Sequence, residues 1–69
     1  MDAVQNELAG RKDAIKKELE ILFKANMKFT DWDVPEADDK EAAKILIDIF
    51  KESINDIEKD IKSGKYDNY

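Results

Sequence analysis

Apolar residues recur along this chain in two stripes at helical spacing, one on each side of an acidic, proline-bearing segment. The first stripe is Val4, Leu8, Ile15, Leu19 and Leu22. The second is Ala43, Ile47, Phe50, Ile54, Ile57 and Ile61, stepping by four and three in turn. Such alternation is the a/d seam of a coiled-coil-like helix, and predicts an amphipathic helix in each half.

The flanking residues set expected boundaries. Asp2 with Gln5 three residues on has the form of a capping box, so helix one is expected over about residues 3–27. Glu20 and Lys24 add a favourable i,i+4 pair within it. Gly10 costs that helix about 1 kcal/mol relative to Ala. It reads as a tolerated weak spot in a fraying first third, or as a place where another helix comes close. A connector is expected over about 28–35. Helix two follows over about 36–63, capped by Asp33 with Pro35 in its first turn, or beginning instead at Asp38 or Asp39. Lys59 and Lys62 suit its last turns and Gly64 its C′ position, leaving a tail over 64–69. Two helices of similar length with a short connection predict an all-α, antiparallel two-helix hairpin in a single domain.

The stripe widens toward the connector. Leu19, Ile21, Leu22, Phe23, Met27 and Phe29 crowd one arm, and Ala42 to Phe50 is apolar round most of its circumference. A helix apolar all round is buried all round. In a lone hairpin Ile21, Ile45 and Ile49 therefore partly face water. Either the connector folds back so that Phe29, Trp32 and Val34 cover this second face, or the face is an oligomer contact. The contact is the preferred expectation, since large exposed apolar patches mark interaction sites.

Size sharpens that expectation. The chain has 69 residues and no cysteine or histidine. Small domains are marginal, and usually lean on disulfides, a metal or oligomerisation. Disulfides are ruled out, and a zinc site lacks its usual thiolate and imidazole ligands. A homo-oligomer that completes a helical bundle is expected. No apolar run approaches the roughly 18 residues that span a bilayer, and the first residues do not have the form of a secretion signal. The chain thus reads as a soluble, cytoplasmic protein with no membrane partner.

Charge is concentrated in one place. Residues 1–29 carry six basic and five acidic side chains, residues 30–41 one and six, and residues 42–69 five and six: +1, −5 and −1, summing to −5. Asp31, Trp32, Asp33, Glu36, Asp38 and Asp39 form an acidic knob round the single tryptophan, and are the candidate partner-binding residues. An aromatic anchor with a carboxylate rim suits a basic protein partner. The structural alternative is that Trp32 caps the wide end of the core. Tyr66 and Tyr69 are expected in a disordered tail, or in a short docking peptide.

Other chemistry finds little footing. Acid–base and nucleophilic catalysis mostly draw on His, Cys or an activated Ser, and Ser53 and Ser63 have no base beside them. No catalytic, metal or cofactor site is expected. The calcium-loop pattern fails from Asp31 onward. It puts Pro35 at position five, Glu36 at the glycine position and Ala42 where a bidentate Glu belongs. The cluster Arg11, Lys12, Lys16 and Lys17 is interrupted by Asp13, and the acidic balance disfavours nucleic acid. In length and layout the chain resembles the small plasmid RNA-binding repressor-of-primer proteins, two-helix hairpins that dimerise into four-helix bundles. The resemblance is one of architecture, without a shared motif. The expected function is a small acidic protein–protein interaction module: an adaptor, assembly factor or regulator. The alternatives are an inhibitor that mimics an anionic surface to block a basic nucleic-acid or nucleotide site, and a structural or engineered helical unit.

Overall fold

The computed structural model describes residues 2–36 and 38–68. The described residues form three α-helices and no strand: α1 (Ala3–Gly10), α2 (Lys12–Asp33) and α3 (Asp39–Lys62). The chain divides into two compact units, Met1–Pro35 and Glu36–Tyr69.

In the first unit Asp2 starts α1 as expected. Its extended backbone leaves the helix, and its carboxylate accepts from Gln5 N at 2.7 Å. That satisfies one of the donors a helix N-terminus leaves over. The single helix expected over 3–27 is broken after Gly10. Arg11 lies at φ −99°, ψ 1°, between the regular helical ladders, and its N–H reaches back only three residues to Leu8 O at 3.1 Å. The break falls where the local preference for helix is weakest. A Cβ added at Gly10 would meet nothing within 4 Å, so among the described residues of its unit the glycine accommodates no close neighbour.

At its other end α2 runs past Met27 to Asp33, six residues beyond the expected boundary. The residues Lys28 to Asp33 are mostly acidic or aromatic, and none breaks a helix. The first residue that cannot stay helical is Val34, because the ring of Pro35 pushes its neighbour out of the α region. Val34 sits at φ −134°, ψ 78°, and its N–H still closes the last turn on Thr30 O at 2.8 Å. Asp33, being helical, cannot cap the next helix. That role falls to Asp38, the later of the two starts considered. Its extended backbone and its carboxylate, 2.9 Å from Lys40 N, open α3.

The end of α3 is a complete Schellman turn. Gly64 takes φ 89°, its N–H bonds Ile61 O at 3.1 Å, and Lys65 N bonds Asp60 O at 3.1 Å. Ser63 Oγ adds a bond to Asp60 O at 2.8 Å. The chain continues beyond Gly64 in turns. Lys65 Nζ lies 3.4 Å from Asp60 Oδ2 and 5.7 Å from the Tyr66 ring centroid, and Asp67 N closes a turn on Gly64 O at 3.2 Å. Tyr66 is half-buried, whereas Tyr69 lies outside the described residues.

No described residue is buried. Along α2 the half-buried positions are Phe23, Ala25, Asn26, Met27 and Thr30; along α3 they are Ala42, Ala43, Leu46, Phe50 and Asp60. All the large residues of stripe one, and Ile47, Ile54, Ile57 and Ile61 of stripe two, remain exposed.

The two glycines should respond to substitution with opposite sign. Gly10→Ala is expected to add up to about 1 kcal/mol, by strengthening the weak junction with no steric cost. Gly64→Ala should remove about 1–2 kcal/mol, because φ is positive there and the new Cβ would stand 3.0 Å from Asp67 Oδ2. Thermal melts followed at the helical circular dichroism band check both.

Candidate interaction surface

Each α-helix residue advances about 100° round the axis. On that basis Ile21, Ala25, Lys28, Phe29 and Trp32 fall on one face of α2, within about a 100° arc. Ala25, Lys28, Phe29 and Trp32 line a shallow groove of about 320 Å³. Trp32 is 86% exposed, Phe29 66% and Ile21 62%. The half-buried Phe23, Met27 and Thr30 lie on the opposite side of the same helix. Polar groups on that side are satisfied within α2: Asn26 Nδ2 donates to Leu22 O at 2.9 Å and Thr30 Oγ1 to Asn26 O at 3.0 Å. These back-bonds let two polar side chains lie along an otherwise apolar stripe.

α3 is built in the same way. Ala43, Ile47, Phe50 and Ile54 make one face, and Ile45 and Ile49 lie about 150° away, 52% and 50% exposed. Near the connector both helices thus carry a second apolar face. The structure places Ile21 and Trp32, expected as parts of different sites, on one face of α2. Phe29 and Trp32 extend the exposed face of Ile21 rather than covering it. Ala25 and Lys28 were absent from the sequence expectation, and Phe29 entered it only as a possible cover, although the i, i+4, i+7, i+8, i+11 spacing from Ile21 to Trp32 contained all three. Ending the helix at Met27 hid that spacing.

The acidic residues divide by environment. Asp31 and Asp33 stand in the last turn of α2, which has no basic residue. The partial negative charge of a helix C-terminus opposes them. Glu36 lies in the turn after Pro35. Asp38 caps α3 and Asp39 stands in its first turn, where the dipole favours a carboxylate. Thus Asp38 and Asp39 have a structural duty in starting a helix, while Asp33 works against the helix that carries it. Among the described residues no group of three His, Cys, Asp or Glu side chains could hold a metal ion, and no helix is long and apolar enough to cross a membrane. No family model, curated protein or solved structure matches the chain.

The dipole argument gives a paired expectation. Asp33→Lys should stabilise the fold by about 0.3–1 kcal/mol, and Asp39→Lys should destabilise it by a similar amount, both at low ionic strength. Melting curves at low and high salt test this; the two effects should shrink together as salt screens them.

Proposed function

We propose that this chain is a small acidic protein–protein interaction module, an adaptor, assembly factor or regulator without catalytic activity, which self-associates through the second apolar faces of its helices. One observation carries the reading: no described residue is buried, while large apolar side chains stand exposed on two sides of both α2 and α3. Fully burying one such side chain is worth about 1.5–3 kcal/mol, and leaving it half in water forgoes much of that.

In this reading α2 and α3 form an antiparallel hairpin. Only residues 34–38 separate them, a connection length typical of antiparallel helix neighbours. The half-buried stripes, Phe23–Met27–Thr30 on one helix and Ala43–Leu46–Phe50 on the other, have matching three-and-four spacing and are the surfaces that pair. The faces of Ile21, Ile45 and Ile49 then remain for other molecules.

A basic protein partner is the second occupant. Trp32 offers a large exposed ring as anchor, and Asp31 and Asp33 beside it supply a rim of the right sign. Mimicry of an anionic surface, aimed at a basic nucleic-acid or nucleotide site, draws on the same concentration of charge over residues 30–41. It is the weaker reading, because Asp38 and Asp39 are already engaged in starting α3.

Sedimentation equilibrium of the chain at tens of micromolar tests the reading. Masses above 8.0 kDa that rise with concentration are expected. A species of 8.0 kDa at every concentration refutes self-association.

A further inference from the structure

Beside the exposed apolar face of α2 runs a row of three lysines, and beside that of α3 a row of three acids. Lys17, Lys24 and Lys28 stand at −4, +3 and +7 from Ile21; Glu41, Asp48 and Glu52 stand at −4, +3 and +7 from Ile45. The two rows therefore have the same spacing and lie on the same rotational flank of their apolar faces. Lys24 is bonded to Glu20 within α2 at 3.2 Å. Lys17, Lys28, Glu41, Asp48 and Glu52 form no ion pair among the described residues.

We propose that the occupant of the α2 face is the α3 face of a second copy of this chain, docked antiparallel, with the lysine row of one copy along the acidic row of the other. Equal flanks of two helices meet when the helices run antiparallel, so that orientation is the one that brings unlike charges together. It also sets Ile21 opposite Ile49 and Ala25 opposite Ile45, a small residue receiving a branched one. Lys28 then falls near Glu41, Lys24 near Asp48 and Lys17 near Glu52. Such flanking pairs set partner choice and orientation in helical assemblies. Their worth is modest singly, so apolar contact supplies the affinity and charge the register.

This inference rests on the hairpin reading above and deepens it. In that reading Phe23, Met27 and Phe50 line the hairpin seam, so the Ile21 and Ile45 faces look away from one another and meet only between copies. Each copy then offers one basic and one acidic face. The contact is heterologous, so growth does not stop at two unless the row closes into a ring.

A charge swap on the full chain tests this. The variant Lys17→Glu, Lys24→Glu, Lys28→Glu has net charge −5 − 6 = −11, and Glu41→Lys, Asp48→Lys, Glu52→Lys has −5 + 6 = +1. Each alone sets like charges across the contact, and each should associate roughly tenfold more weakly than the parent at low salt. The near-neutral variant shows that general repulsion is not the cause. Mixed in equal amounts, the two variants present only unlike rows to each other and should recover the parent's mass distribution by sedimentation. Circular dichroism confirms that each is helical; should either triple variant unfold, Lys28→Glu with Glu41→Lys serves as the single-pair swap. Variants that associate like the parent, or a mixture that stays dissociated, overturn the antiparallel charge match while leaving self-association standing. A parent that is monomeric throughout overturns both.

Discussion

A helix can turn an apolar residue away from water only against another surface, and α2 and α3 carry such residues on opposite sides. A single neighbouring helix can cover only one such side. On α2 the side of Phe23, Met27 and Thr30 is half-buried, and that of Ile21, Phe29 and Trp32 stays in water. On α3 the Ile45 and Ile49 side does the same. Ordering each residue costs roughly 1–2 kcal/mol of backbone entropy, so a short chain has little stability to spare for unburied apolar surface. The local hydrogen bonding is well made: Asp2 and Asp38 cap, Asn26 and Thr30 bond back into their helix, and a Schellman turn closes α3. These features define where helices begin and end. They do not supply an interior.

The sequence was most legible where a single residue decides the backbone. Asp2 and Gly64 act as their chemistry requires, because a short carboxylate at an N-cap and a glycine at positive φ are local solutions. The apolar periodicity, likewise, marks the helices and both of their faces. The end of α2 was misplaced because the acidic run over residues 30–33 resembles a connector in composition. Acidic charge in a last helical turn costs only about 0.3–1 kcal/mol, too little to end a helix that meets no proline or glycine. Pro35 does end it, through Val34. The break at Arg11 was foreshadowed by Gly10, but whether a weak position bends, frays or breaks depends on neighbours that spacing does not reveal.

The candidate site was legible residue by residue and not as a surface. Trp32 and the acids round it stood out by composition, and Ile21, Ile45 and Ile49 by crowding. What joins Trp32 to Ile21 is the continuation of α2 through Ala25 and Phe29, which depends on where the helix ends. The same continuation assigns the acids different weight. Asp38 and Asp39 serve the start of α3, whereas Asp31 and Asp33 sit at an unfavourable helix end beside an exposed indole. The rows Lys17–Lys24–Lys28 and Glu41–Asp48–Glu52 add an electrostatic element that nearly balanced helix charges had concealed.

The central claim is that the apolar faces of this chain are satisfied between molecules rather than within one. The concentration dependence of the thermal unfolding midpoint tests it most directly. Association stabilises the folded state by mass action. The account predicts that the midpoint, read from helical circular dichroism, climbs steadily as the chain is concentrated from micromolar to hundreds of micromolar. A cooperative transition whose midpoint is the same across that range would contradict it.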